Sequence, residues 1–428
     1  MSFEKKDLFI ILSFIIPILI ILLFWNFSGF HWNAQVPDYV NFYYPVGKNL
    51  AEGKGFFLNG KFASRYPPGY PLIISLIIRV SQSLSVSYVL LLKILILISW
   101  SFSFLLVFKI FNILLPKDWA FYSSIIWISN PFNLYITRSP LSENFFIPFY
   151  YLSLFLLIHL LINSEKNYFY KLFLSIVSGF ALGIGALIRP IVIGIPFIYA
   201  FLIVFFLKKS LSWDKIIYLL IGLIGSFILT IFPWQKELNE HTNSFKLLSS
   251  GGFPSIRDGL TCFVETKGYR DELKINQSLR NLSTEALKRK RQNKLENYKQ
   301  LLVFFKDQYH KNKIGLISLF LTKAYRSWFA IDSQKRKQEN YNKIFQLIFL
   351  FFVSIGIYLS FFKFRFKNLK PWFITIGLLV LYNWAITILV LSILRYMICT
   401  ISLLSIFIGI TLFYIYDKIF RVERFVEN

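Results

Sequence analysis

The sequence predicts an all-α integral membrane protein, a polytopic helical bundle of about ten spans with juxtamembrane helices and a mostly helical outer segment. Three observations carry this reading. Of the 428 residues 56% are hydrophobic and only 16% are charged, more apolar matter than a soluble domain of this length can hide. The apolar residues come in blocks of roughly 17 to 25, the length a helix needs to cross about 30 Å of hydrocarbon. Such blocks are 8–25, 88–106, 144–161, 191–207, 216–233 and 344–362. Many of the cations fall in short stretches between blocks, where lysine and arginine set orientation. The net charge of +25 therefore points to membrane lipid as a partner and not to nucleic acid.

The first block follows Lys5 and Lys6 and starts like a signal peptide, yet it is long and lacks a small-x-small cleavage site before Asn33. It reads as an uncleaved first span. Placing the amino terminus in the cytoplasm gives spans near 8–27, 86–111, 119–136, 143–162, 170–187, 190–207, 215–233, 343–362, 371–391 and 396–416, with both termini cytoplasmic. The inside loops then hold Lys117, Lys166, Lys208, Lys209, Lys215, Lys363, Arg365, Lys367 and Lys370, and the tail holds Lys418, Arg421 and Arg424. Residues 70–80 are apolar but too short to span and are fenced by Pro67, Pro68 and Pro71. They are expected as an interfacial or re-entrant helix outside. Three regions result: a transmembrane module over 1–233 that includes a first outer loop at 28–87, an extracytoplasmic segment over 234–342, and C-terminal transmembrane helices with a cytoplasmic tail over 343–428.

Within the second outer segment 276–309 reads as helical and polar. Its Lys288-Arg289-Lys290-Arg291 run is expected as a solvated helix face, with attraction to lipid phosphate or an anionic acceptor as the second reading. Cys262 lies in that polar segment and Cys399 in an apolar span, which argues against a mutual disulfide.

Ionisable residues at a membrane boundary are candidates for function, because holding a charge near hydrocarbon costs about 3 kcal/mol even on a mild scale. Four stand out: Asp38, Glu143, Arg189 and Arg395, each at the outer end of a different span or just beyond one. Asp38 opens a stretch whose spacing of Tyr39, Phe42, Tyr43, Val46 and Leu50 suits a helix on the membrane surface, with Pro45 kinking or beginning it and Gly53 as its stop. A plain helix cap is the structural alternative for Asp38. For Glu143 the alternatives are capping or a local ion pair with Arg138. For Arg189, at the 188–190 junction between two apolar helices, and for Arg395 the alternative is snorkelling to water. Lys93 and His159 read as near-edge or packed polar residues inside spans.

Two carboxylates and two guanidiniums at one interface fit one task. A carboxylate deprotonates an incoming nucleophile while arginines hold the phosphate of a leaving group. No metal cluster at ligand spacing, Walker loop or dinucleotide fingerprint occurs in the sequence.

The first outer loop carries a resemblance: Pro37-Asp38-Tyr39, then Tyr43, Leu50, Gly53-Lys54-Gly55-Phe56 and Arg65-Tyr66-Pro67-Pro68-Gly69-Tyr70-Pro71. Weaker echoes follow in Ser142-Glu143, in Gly183-x-Gly185 with 187–190, in Phe232-Pro233-Trp234 and in Arg395-Tyr396. On these residues the chain resembles the multi-spanning glycosyltransferases of the GT-C fold that use lipid-phosphate sugars, particularly bacterial relatives of protein O-mannosyltransferases and of the aminoarabinose transferase. The likeness covers the whole chain in outline and its first half closely. It implies Asp38 as general base for the acceptor, Glu143 as a second acidic residue, and Arg189 and Arg395, with Arg138, as contacts to the donor phosphate. The implied donor is a polyprenyl-phosphate sugar, the acceptor a glycan, lipid or protein, and the site the outer face of a bacterial cytoplasmic membrane, with inversion at the anomeric carbon. Tyr39, Tyr43, Tyr66, Tyr70 and Trp328 are candidates to stack on sugar or lipid, interface anchoring being the plainer reading of any one of them. No cofactor is certain, and a divalent cation shared by Asp38 and Glu143 stays open. A polymerase or ligase of lipid-linked glycans and a transporter or flippase are the rival functions.

Overall fold

The computed structural model describes residues 5–27, 31–162, 167–265, 276–331, 336–364, 366 and 368–420; the predicted inside cations Lys166, Arg365, Lys367, Arg421 and Arg424 lie outside the described residues. Among the described residues nine helices are long and apolar enough to cross a membrane: Leu8–Asn26, Tyr88–Phe111, Glu143–Ile162, Tyr168–Ile188, Pro190–Leu207, Trp213–Thr242, Glu339–Phe364, Leu369–Leu389 and Ile398–Ile419. The chain is an all-α multi-pass membrane protein, as its apolar blocks predict. The expected span 119–136 is interrupted. It forms two helices, Lys117–Ile128 and Pro131–Thr137, because Pro131 has no N–H to continue the ladder and the Asn130 side chain accepts from Phe132 N at 3.0 Å, capping a new start.

The chain divides into two compact units, Met1–Ser249 with Phe352–Leu379 and Ile401–Asn428, and Ser250–Phe351 with Val380–Thr400. In the first unit α1 (Lys5–Asn26), α4 (Tyr88–Phe111), α7 (Glu143–Ile162), α8 (Tyr168–Ile188) and α10 (Trp213–Thr242) pack in that order, each on the next. Lipid tails give packed helices no hydrophobic reason to prefer one another, so small polar side chains carry the register. Ser153 and Ser178 exchange a hydroxyl contact at 2.8 Å between α7 and α8, and Ser175 donates to Leu219 O at 2.6 Å between α8 and α10.

The first long loop is ordered by its own turn chemistry. A π-helical turn, Tyr39–Tyr43, runs into α2 (Tyr44–Ala51), whose first turn takes Pro45 and which ends before Gly53 at φ +76°. Strands β1 (Phe57–Leu58) and β2 (Lys61–Phe62) then form a small antiparallel hairpin. Its two-residue turn is Asn59-Gly60, both at positive φ, the combination a twisted hairpin needs. Helix α3 (Gly69–Leu84) follows the diproline and is 16 residues long, about 24 Å, short of a span. A Cβ at Gly69 would lie 2.7 Å from Leu187 O, so only glycine lets the start of α3 reach the end of α8. Past Pro233, α10 continues as far as Thr242, and the hairpin leans on this extension. Phe56 meets Trp234 at 4.8 Å and Phe62 stacks on His241 at 4.2 Å. Lys93 lies 5.2 Å from the Trp32 ring and His159 stacks on Phe155, so both are packed polar groups of their helices.

The second unit holds α11 (Gly252–Glu265), α12 (Gln277–Arg291), α13 (Tyr298–Lys311) and α14 (Lys313–Arg326), with the start of α15 (Arg336–Leu359) and the end of α16 (Leu369–Leu389). Asn276, Asn297 and Asn312 each accept from a backbone N–H two or three residues into the following helix, which sets three helix starts. The region 276–309 is helical, as expected, and consists of two helices folded over a core of Phe263, Leu282 and Phe304. The basic run is only partly a solvated face. Arg289 pairs with Asp307 at 2.7 Å and Glu285 at 3.1 Å, and Lys290 reaches Asp258 and Glu265, leaving Lys288 and Arg291 exposed. Cys262 and Cys399 are free and buried.

Two predictions follow from packing. Gly69→Ala lowers the thermal midpoint in detergent by the equivalent of about 1–3 kcal/mol, whereas Gly225→Ala, on α10 with open space around it, leaves it unchanged or raises it. Lys323 on α14 is fully buried, donates to Leu389 O at 3.3 Å, and burial pushes its amine down to about 8. Between about pH 8 and the ordinary lysine value near 10.4 the unfolded chain holds more protons than the folded one, so this group makes stability rise with pH across that window. Lys323→Met should flatten the rise in melting curves taken from pH 7 to 10.

Candidate active site

Asp38 has helical backbone angles (φ −64°, ψ −35°) and its side chain makes no capping bond. Its Oδ1 instead accepts from the Tyr66 hydroxyl at 2.9 Å, so the carboxylate at the start of the first long loop's helix is held by the aromatic of the diproline box. The Tyr66 ring stands 5.0 Å from both Phe42 and Tyr43, and Tyr43 stands 4.9 Å from Tyr70. Tyr70 is fully buried and donates to Pro140 O at 2.8 Å, tying the loop to the turn that precedes α7.

That turn delivers Glu143 as the first residue of α7, where the unpaired N–H groups of a helix start favour a carboxylate. Glu143 is buried, and its Oε1 lies 2.5 Å from Nη1 of Arg189. The same Nη1 donates to Ser142 Oγ at 3.1 Å, and Ser142 donates to Glu143 Oε2 at 3.3 Å, closing a three-residue network. Arg189 owes its place to Pro190. The residue before a proline is pushed out of the helical region, and Arg189 is extended (φ −142°, ψ 119°) between α8 and the 3-10 turn Pro190–Val192. The guanidinium thereby leaves the helix axis at the level of the α7 start.

Burial pushes the Tyr43 hydroxyl far above the ordinary phenol range; Arg189 opposes this, and Tyr66, Asp38 and Glu143 add to it. One phenol therefore senses both carboxylates and the arginine. Burial also raises Tyr39 to about 12 and Tyr70 well above the phenol range, so all three are neutral hydrogen-bonding groups at physiological pH. Tyr39 shares a 2.6 Å hydrogen bond with Tyr88 at the start of α4, a partner no sequence pattern marks.

Of the predicted site residues, the structure gathers Asp38, Tyr43, Tyr66, Tyr70, Glu143 and Arg189 at one end of the first unit, with Tyr39 alongside. Arg138 does not form the local pair with Glu143 that its sequence position suggests. Its guanidinium lies 4.5 Å from the Tyr135 ring, its buried Nε has no hydrogen-bond partner among the described residues, and its carbonyl accepts from Asn33 N at 2.9 Å. Arg395 belongs to the second unit, in the 3-10 turn Leu394–Tyr396, beside the Tyr396 ring at 5.6 Å. Trp328, also in the second unit, packs edge-on to Trp384 at 6.0 Å. Ser142 gives no sign of its bridging role beyond its place next to Glu143.

No protein-family model matches the chain, and no curated protein matches it by sequence. Among solved structures it is similar to the archaeal oligosaccharyltransferase AglB of Archaeoglobus fulgidus, solved with an inhibitory peptide and a dolichol-phosphate, at 12% identity and a TM-score of 0.51 over 98% of this chain and 52% of that one. A second structure of the Archaeoglobus fulgidus oligosaccharyltransferase, tethered by a disulfide to an acceptor peptide with an NVT sequon, aligns at 13% identity and a TM-score of 0.49 over 98% and 51%. The chain spans about half the length of these structures, and what it shares with the first is the fold alone.

Removing one member of a buried ion pair leaves the other charge uncompensated and costs about 3–5 kcal/mol. Glu143→Gln should therefore lower the thermal midpoint more than the double variant Glu143→Gln/Arg189→Met does, a comparison that a melting series in one detergent decides.

Proposed function

We propose that this protein is an inverting glycosyltransferase that moves a sugar from a polyprenyl-phosphate donor to a glycan, lipid or protein acceptor at the outer face of a bacterial cytoplasmic membrane. The observation that carries the reading is the aromatic chain Tyr66–Tyr43–Tyr70, which runs from the Asp38 carboxylate to the turn that delivers Glu143 and its Arg189 partner. The shared fold supports it, and the neighbour's dolichol-phosphate belongs to the same chemical class as the lipid carrier of the proposed donor.

In this account Asp38 takes the proton from the acceptor hydroxyl or amide as that atom attacks the anomeric carbon. The bond from that carbon to the phosphate oxygen breaks, and polyprenyl phosphate leaves with the electron pair. Arg189 offsets the charge that develops on the leaving phosphate, and Glu143 acts through Arg189 by holding its fork in place. Tyr66 holds the Asp38 carboxylate in one rotamer, which a base needs to meet its proton at hydrogen-bond distance. Among the described residues no group of three or more His, Cys, Asp or Glu side chains is placed to hold a metal. Glu143 is taken up by the Arg189 guanidinium.

Membranes holding matched amounts of wild-type protein or Asp38→Asn, given a set of polyprenyl-phosphate sugars with labelled heads, test the proposal. Loss of roughly 10²–10⁴-fold in transfer with an unchanged melting curve is expected, the usual span for a general base. Tyr66→Phe should lose less, and Arg189→Lys should lose activity despite keeping its charge, because a point charge does not replace a bidentate fork. Unchanged transfer by Asp38→Asn removes that residue from the mechanism.

A further inference from the structure

The hairpin of α13 and α14 carries two apolar faces where a soluble hairpin has one. Leu316, Leu319 and the stem of Lys323 face the core of the second unit, as the inner side of α14 should. The outer side is apolar as well. Ile314, Ile317, Leu321 and Tyr325 follow one another at helical spacing and are half or more exposed, and Leu302 and Tyr309 continue the surface on α13. An exposed stripe of this kind marks a surface that something covers.

Three contacts within the second unit fix where the stripe sits. Arg326, at the end of α14, makes a buried two-pronged ion pair with Glu339 in the first turn of the spanning helix α15, at 2.7 and 2.5 Å. Lys323 donates to Leu389 O, the last residue of the spanning helix α16. Trp384, five residues before that end, donates to Ala324 O at 3.0 Å. Five helical residues are about 7.5 Å, so the end of α14 reaches below the last turn of α16. Because α15 and α16 are successive spans, the start of one and the end of the other lie at the same membrane face, and α14 is clamped to that face.

Charge around the hairpin matches a lipid surface. The acids of 276–326, Glu285, Glu296 and Asp307, are all held by arginines, Glu296 by Arg257 at 2.9 Å. Lys299, Lys306, Lys311 and Lys313 are exposed on the same two helices. We infer that α13 and α14 form an interfacial foot, the stripe seated at the headgroup boundary of the protein's own bilayer and the exposed lysines of the two helices on the phosphates of anionic lipid. The foot anchors the second unit independently of any glycosyl transfer.

The full-length protein in nanodiscs of phosphatidylcholine with phosphatidylglycerol tests this by nitroxide labelling at Ile317→Cys, Leu321→Cys and Lys294→Cys. The native cysteines are buried and stay in place. Labels at 317 and 321 should be relaxed several-fold more by oxygen than by a water-soluble nickel chelate, and the label at 294 the reverse. Replacing Lys299, Lys306, Lys311 and Lys313 together by Gln should raise chelate access at 317 several-fold. Chelate access at 317 and 321 equal to that at 294 overturns the proposal, as does dipolar broadening at 317 that disappears when labelled protein is diluted with unlabelled, which would show a second copy covering the stripe.

Discussion

A guanidinium and a carboxylate that share a site out of water govern the end of the first unit where the long loop returns. Neither Arg189 nor Glu143 is cheap to hold there alone, and each is delivered by a different helix end: Arg189 by the proline that stops α8, Glu143 by the turn that starts α7. The pair closes at 2.5 Å only if α7 and α8 keep their register, which the Ser153–Ser178 contact helps to fix. The loop is then built around the pair. Gly69 lets the diproline box touch the end of α8, Tyr70 binds the carbonyl of Pro140, and Tyr66 reaches from the same box to Asp38. The Asp38 carboxylate and the Arg189 guanidinium thus stand in one frame, held by groups that are neutral or already paired.

The second unit applies the same constraint for anchoring. Its basic run reads as free charge in sequence, yet Arg289 and Lys290 are spent on acids from neighbouring helices, and the buried Arg326–Glu339 pair fastens the amphipathic hairpin to a span. What stays exposed is a separate set of lysines beside an apolar stripe. Internal pairing has sorted the cations into those that fold the unit and those left for the surface.

The spans were legible because the bilayer imposes one length and one composition on every helix that crosses it. The break within 119–136 was written in Asn130-Pro131, a turn signal that averaging over a hydropathy window overruns. The helix after Asp38, with Pro45 in its first turn and Gly53 after its end, followed from spacing and local rules. The partners did not. Arg138 is the nearer cation to Glu143 in sequence, but a cation–π contact with Tyr135 takes it, and the partner comes from a helix end 46 positions away, a relation that single-sequence periodicity does not contain. The same holds for Tyr66 on Asp38 and Tyr88 on Tyr39, where two loop segments meet only after the turns between them have formed.

The central claim is that the Asp38–Tyr66 and Glu143–Arg189 groups face one reacting centre. The measurement that tests it most directly is a structure of the protein with a non-transferable polyprenyl-phosphonate sugar bound. The phosphonate oxygens should lie within hydrogen-bond distance of Arg189 and the anomeric carbon on the side of Asp38. A headgroup bound away from both, with the Glu143–Arg189 pair undisturbed and remote from the ligand, would contradict it.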